Sequence, residues 1–268
     1  MTSIEILCIG NEILSGVTVN TNASWLCKEI AHVGGVVNRV IVVQDDVKII
    51  DSTTRESLHR EPNWLITCGG LGPTYDDKTL EGISRGLRTR LVLNSSALNM
   101  VKQSYKKQGR VVRLNRARIK MALIPNGSIP IMNPVGNAPA VRFNAKKTKI
   151  VCLPGVPSEM KGIFINSILN EIKQEVGEFS LEERLYRVEG VSEAMLSSAL
   201  TKLVKTTPTN SLYLKTHPQG YTNKNIPVMN IQVVSRGRKK DAVRLVLDRI
   251  SNEIISEVVK HKGKIQLK

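Results

Sequence analysis

The spacing of apolar residues changes in a regular order along the chain. Ile4, Ile6, Leu7 and Ile9 make a short apolar run, and over residues 22–33 Trp25, Leu26, Ile30 and Val33 recur three or four apart before Gly34-Gly35. A buried strand and an amphipathic helix with a glycine stop are predicted. Residues 36–43 end in Val40-Ile41-Val42-Val43, a run typical of a parallel strand covered on both faces. Asp45-Asp46 opens a helix reaching about Arg60, and residues 64–68 form a third apolar strand. This β-α-β-α-β alternation predicts a mostly parallel sheet with helices on both sides, a three-layer α/β/α domain.

Further helices are predicted over residues 79–88 and from a cap at Ser95 or Ser96 to Gln108. Strands follow at 140–143 and 149–153, then a helix capped by Ser158 with the stripe Ile163 or Phe164, Ile168, Ile172 and Val176. That helix closes a first domain, residues 1–177. Gly177-Glu178-Phe179-Ser180 is a junction, after which the pattern is different. A strand at 185–188, a helix capped by Ser192, strands near 211–214 and 228–235, and a long helix are predicted. The long helix places Val243, Val246, Leu247, Ile250, Ile254 and Val258 on one face, and Ile265 lies in a final strand. The order β-α-β-β-α-β suits a small α+β split-βαβ domain over residues 181–268.

Each of the first three strands runs into a loop rich in chemistry: the Gly10-to-Gly16 loop with Asn11 and Glu12, then Gln44-Asp45-Asp46, then the stretch from Gly69 to Asp77. Ligands in open α/β sheets bind beyond the carboxyl ends of the strands, so these loops gather on one rim. Gly69, Gly70 and Gly72, around Leu71, let a ligand approach main-chain N–H groups, as phosphate-binding turns do. Asp76 and Asp77 beside such a turn repel a phosphate unless a cation lies between, which points to phosphate, divalent metal and aspartate together. The other reading of Asp76 or Asp77 is a cap on the helix that begins near Lys78. Asn133-Pro134-Val135-Gly136-Asn137-Ala138-Pro139 is a shaped loop, and Pro154-Gly155-Val156-Pro157 breaks the chain after a strand.

Composition changes this picture in a few ways. The 268 residues carry a formal net charge of +16, which favours phosphate-bearing partners, although a soluble or thermophilic surface accounts for it equally. Lys102, Lys106, Lys107, Arg110, Arg113, Arg116, Arg118 and Lys120 have no acidic residue among them and read as a solvated face or a phosphate contact. Cys8, Cys27, Cys68 and Cys152 form no CxxC pair and read as core thiols of a reducing, cytoplasmic compartment. No basic leader precedes the first strand, and no apolar run reaches the length of a membrane span. His32, His59, His217 and His261 are scattered at helix ends or loops, with His217-Pro218-Gln219-Gly220 read as a plain turn. A nucleic-acid-binding module is a further possibility from the charge, but Gly237-Arg238-Lys239-Lys240 is not a GxxG clamp and aromatics for stacking are few.

The ordered motifs GNEILSG, VTVNTN, VVQDD, ITCGGLGPTYDDKT, NPVGNAPAV and LPGVPSEM resemble the molybdopterin-binding-like family that includes MoaB and MogA, most closely its CinA-type domains. The region after about Leu181 looks like the KH-type domain that follows in CinA-type chains, and their deamidase domain is not expected to fit in the residues that remain, so deamidation is not predicted. The resemblance implies metal-dependent hydrolysis of the pyrophosphate in ADP-ribose, to AMP and ribose 5-phosphate, with magnesium, manganese or cobalt as the ion. Its alternative is molybdopterin binding or adenylyl transfer, and a homodimer is implied as well. Carried over by motif, Asp45, Asp77 and Glu12 are the catalytic candidates and Asp45, Asp76 and Asp77 the metal candidates. Asn11, Asn22, Gly69, Gly70, Leu71, Gly72, Pro73, Thr74, Gly136, Asn137, Pro154, Gly155 and Pro157 are the substrate candidates. Leu71 stands where the pterin enzymes carry threonine and Val156 where they carry serine, which favours the CinA branch. Within that branch Gln44 and Ala140 replace glycines and Asn137 a threonine, and Ala140 is expected to put a Cβ near the nucleotide pocket.

Overall fold

A computed structural model describes residues 2–107, 115–207 and 211–268. They form two compact units, Met1–Val176 and Gly177–Lys268. The first unit runs β1 (Ser3–Ile9), α1 (Asn11–Leu14), α2 (Thr21–His32), β2 (Val36–Val43), α3 (Val47–His59), β3 (Trp64–Cys68) and α4 (Thr79–Gly86). It continues with β4 (Leu91–Leu93), α5 (Ser95–Lys107), α6 (Arg116–Lys120), β5 (Leu123–Pro125), β6 (Ile129–Ile131), β7 (Ala140–Ala145) and β8 (Thr148–Leu153). A last helical rod comprises α7 (Pro157–Ile163), a π-helical turn at Phe164–Ile168, and α8 (Leu169–Val176).

The main sheet has the order β2-β1-β3-β8-β7-β6, parallel from β2 to β8 and antiparallel at β7 and β6. Alternation along β1 sends Ile4, Ile6 and Cys8 to one face, where they pack with Leu26 and Ile30 of α2 and with Met160, Ile163 and Phe164. Leu7 and Ile9 go to the other face, against Ile50 of α3, Ile83 of α4 and Val101 of α5. Two helical layers therefore cover one mostly parallel sheet, the three-layer architecture expected. Ile163 and Phe164 are both fully buried, because the π turn between them and Ile168 widens the stripe.

Several local expectations are corrected. β2 is an edge strand: Val42 packs in one core and Ile41 and Val43 in the other, but Val40 is 43% exposed, so the run is only partly covered. The first glycine-bounded loop contains the single turn α1, and α4 ends at Gly86, two residues early. Asn94, not Ser95 or Ser96, accepts from the Ala97 amide at the start of α5. α7 begins on Pro157 with Val156 as its cap residue and no bond from Ser158. Gln108, Arg110 and Arg113 lie outside the described residues.

The second unit comprises β9 (Ser180–Glu189), α9 (Glu193–Thr206), β10 (Leu212–Tyr221), β11 (Pro227–Gly237), α10 (Lys240–Lys260) and β12 (Lys264–Leu267). Its antiparallel sheet has the order β10-β11-β9-β12, so the fourth strand lies beside the first in split-βαβ fashion. Val243, Leu247, Ile250, Ile254 and Val258 of α10 are buried on it. Ser192 precedes α9 without a capping bond, and the expected turn at His217 is part of β10, with the imidazole Nε2 3.2 Å from Gln232 Oε1.

Candidate active site

The carboxyl ends of β1, β2, β3 and β8 open onto one cavity of about 470 Å³. β1 delivers Gly10, whose amide bonds Val43 O at 3.1 Å and joins the ends of β1 and β2. The Asn11 amide donates to Asp45 Oδ2 at 2.8 Å, and Asn11 Oδ1 accepts from the Asp45 amide at 3.3 Å. Asn11 is therefore absent from the cavity wall and acts as the clamp on Asp45. The neighbouring Asp46 does different work: it caps α3 by accepting from the Lys48 and Ile49 amides.

The loop after β3 is held from both sides. Gly69 donates to Leu153 O at 3.1 Å and has φ +108, with Ile9 O only 2.1 Å from where a Cβ would stand. Thr79 Oγ1 donates to Gly69 O at 2.8 Å, tying the loop to the start of α4. The amides at the two ends of residues 69–74 are occupied, Gly69 by Leu153 and Thr74 by Asp77 Oδ2 at 2.8 Å. Those of Gly70, Leu71 and Gly72, all cavity-lining residues, have no acceptor among the described residues. Three successive donors without an acceptor on a cavity wall, in a glycine-rich turn, mark a place for an anion.

Neither Asp76 nor Asp77 caps α4, whose cap residue is Lys78. Asp77 Oδ2 instead accepts from the amide and hydroxyl of Thr74, leaving Oδ1 without a partner among the described residues. Thr74 is thus an anchor of Asp77 and does not line the cavity, and Lys120 Nζ donates to its carbonyl. Asp76 is exposed, and the nearby Thr74 hydroxyl, its own backbone amide and the charges of Lys120 and Lys78 hold its carboxyl below the usual range. Asp45 is shifted the other way. Burial raises its carboxyl, the Asn11 amide offsets part of this, and the charges of Glu12, Asp76 and Asp77 raise it further. Glu12, Asp76 and Asp77 therefore lie close enough for their charges to act on Asp45 at one end of the site. Among the described residues no three acids, histidines or cysteines could hold a metal by themselves.

Three of the cavity carboxylates lie across glycines. A Cβ on Gly10 would fall 2.6 Å from a Glu12 oxygen, one on Gly72 2.7 Å from Asp77 Oδ2, and one on Gly136 2.1 Å from Glu159 Cδ. Gly136 is consequently buried under Glu159 and contributes room, not a contact with the cavity. Asn137 lines the cavity and accepts from Ser104 Oγ at 3.0 Å. Asn22 lines it too and donates to Gly155 O at 2.7 Å, joining α2 to the turn that also supplies Pro154, Gly155 and Pro157. Ala140 does not: its side chain is fully buried in the core beneath the sheet, so the expected Cβ at the pocket is corrected. Leu71 reaches the wall but is 5% exposed and packs in the opposite core.

Residues 5–174 match the family model described as "Probable molybdopterin binding domain". The chain belongs to that family. This member is 39% identical over 97% of its length to a protein of Metallosphaera sedula, covering 95% of it, and 36% identical over 98% to one of Saccharolobus solfataricus, covering 94%. The crystal structure of CinA from Thermoplasma acidophilum, a protein of unknown function, is 36% identical with a TM-score of 0.57, covering 65% of this chain and 98% of that one. No helix among the described residues is long and apolar enough to cross a membrane.

Four contributors to this family member's site are not singled out by the sequence: Tyr105 and Met121 lie outside every motif, Asn20 and Glu159 lie within VTVNTN and LPGVPSEM, and all four line the cavity. Asn20 caps α2, while Tyr105 stacks under Arg118 with the guanidinium 4.3 Å from the ring centre. Glu159 could have been noticed as the acid of LPGVPSEM, in the first turn of the helix that follows that loop. Cys68 also lines the cavity, 3.6 Å from Cys8 Sγ. Its bond with the Cys8 sulfur and its burial push its thiol well up, in keeping with a core thiol and not a nucleophile.

Proposed function

We propose that the first unit binds a phosphorylated ligand of the molybdopterin type, holding its phosphate on the Gly70, Leu71 and Gly72 amides, and promotes transfer at that phosphate. The three acceptor-free amides beside Asp45 and Asp77 carry this reading, and the family supports the pterin. The acids present fit a magnesium-type ion that keeps several waters and takes one or two carboxylates plus substrate phosphate, not a three-aspartate cage. Asp77 Oδ1 and Asp45 would hold it, and when bound it supplies charge neutralisation at the phosphate. Asn11 and Thr74 keep the two carboxylates oriented, and the amide row stabilises charge developing on the remaining phosphate oxygens.

One observation favours a second reading, hydrolysis of the diphosphate in ADP-ribose. Leu71 is buried and Val156 is apolar, so neither offers the hydroxyl that the corresponding positions of the pterin enzymes carry. Titration calorimetry with a phosphorylated pterin, and AMP release from ADP-ribose with magnesium, manganese or cobalt, decide between them. Submicromolar pterin binding that D77A abolishes supports the first reading. AMP release lost in D77A, without pterin binding, replaces it with the second. Neither signal would end both.

A further inference from the structure

Glu159 is the cavity carboxylate that stands apart from the acid cluster. The charges that act on Asp45 are those of Glu12, Asp76 and Asp77. Glu159 is carried by the first turn of α7, which follows β8, and Asp45 by the loop after β2. Those strands are three positions apart in the sheet, about 14 Å at ordinary strand spacing. The residues 69–77 loop follows β3, between those two strands, so Asp45 and Glu159 flank it on opposite sides and a metal held at the Asp45 end leaves Glu159 to another part of the ligand.

Its placement is built, not incidental. Asn133 is 5% exposed, and its Oδ1 accepts from the Val135 amide at 3.1 Å and the Gly136 amide at 2.8 Å. Two donors on Oδ1 fix which way the amide faces, because the flipped form would set N–H against N–H. Nδ2 is thereby committed to Ala138 O at 2.9 Å and Glu159 Oε2 at 2.5 Å. Gly136 supplies the space, as a Cβ there would overlap the carboxylate. A first-turn glutamate that only complements the helix dipole requires neither a buried amide nor a missing Cβ. Oε1 has no partner among the described residues, and a carboxylate with one of its roughly four acceptor sites filled can still take two adjacent donors.

We propose that Glu159 determines ligand specificity by accepting from a pair of adjacent hydrogen-bond donors on the organic, non-phosphate part of the ligand. This rests on the phosphate reading of the cavity. Two sources offer that chemistry: the ring N–H and exocyclic amino group on one edge of a pterin, and the vicinal hydroxyls of a ribose. The six-membered edge of adenine does not, since it sets an acceptor beside its donor.

Calorimetric titration of the full chain in magnesium with inorganic pyrophosphate, a phosphorylated pterin and ADP-ribose tests this in wild type, E159Q and E159A. Pyrophosphate reaches only the phosphate end, so its affinity should stay within about twofold. The organic ligand that Glu159 reads should lose from about tenfold to about a hundredfold, the range for hydrogen bonds to a charged group. Loss confined to the pterin identifies the ring edge, and loss confined to ADP-ribose identifies the diol. Equal weakening of all three ligands would overturn the inference by making Glu159 part of the metal or phosphate apparatus. No weakening of any would reduce it to a helix-end acid. A wild-type protein that binds pyrophosphate but neither organic ligand more tightly also overturns it while sparing the phosphate site. Absence of any binding to wild type sinks the phosphate reading itself. Melting curves establish that both variants fold.

Discussion

Asn133 is the residue whose replacement tests the geometry of the site most directly. Truncation to alanine removes four hydrogen bonds and orphans two groups on buried residues, the Gly136 amide and the Ala138 carbonyl. At roughly 1–3 kcal/mol for each orphaned group, N133A should cost roughly 4 kcal/mol, a fall in Tm of roughly 8–16 °C for a unit of this size. N133D is sharper. It keeps Oδ1 for the two amides but turns Nδ2 into an oxygen facing Glu159 Oε2 and Ala138 O. Two carboxylates at that separation cannot both ionise cheaply, so the pair holds a proton to higher pH when folded than when unfolded. A raised folded value means stability that is present below about pH 4 and is lost as pH rises through it. The gap between wild type and N133D should therefore be small at pH 4 and open to roughly 3 kcal/mol by pH 8, if the folded pair binds its proton about a hundredfold more tightly than the unfolded chain does. Tryptophan fluorescence is the assay, because both tryptophans, Trp25 and Trp64, belong to the first unit and report its unfolding alone. A gap of the same size at both pH values would refute the Asn133–Glu159 bond and the orientation built on it.

Three other outcomes are expected. Glu5 is 3% exposed in β1, where burial alone would raise its carboxyl but bonds from Arg60 at 2.7 and 2.8 Å, helped by Ser57, bring it below its usual value. E5Q should cost roughly 2 kcal/mol at pH 7, below the usual figure for a broken buried pair because Arg60 reaches water. That cost should vanish in urea titrations as pH falls through the lowered value, since a depressed carboxyl stabilises only above it. G69A meets both a φ of +108 and Ile9 O at 2.1 Å and should unfold the first unit, whereas G127A, with φ +80 and open space, should cost only about 1 kcal/mol by denaturant midpoint. D45N removes a carboxyl held up by burial and neighbouring acids, so its Tm should match or exceed wild type at pH 7–8 and lose that gain near pH 4, while metal-dependent ligand affinity falls. A D45N protein that binds as wild type does would remove Asp45 from the site.

Apolar periodicity by itself determined the order of the main elements, because a buried strand and a one-sided helix need different spacings of the same residues. It also determined which loops follow strand ends, and the parallel connection rule then puts those loops on one rim. The division of labour between adjacent aspartates was not legible: Asp45 and Asp46, or Asp76 and Asp77, are the same residue type one position apart. Only the surrounding amides decide that Asp46 caps a helix, that Asp77 is gripped by Thr74, and that Asp45 is gripped by Asn11. Edge position likewise belongs to the sheet order and not to the run of valines in β2. Glu159 shows the limit most plainly. Its meaning depends on Asn133 and Gly136, more than twenty residues away, and only packing brings a fixed amide and an absent Cβ to the same carboxylate.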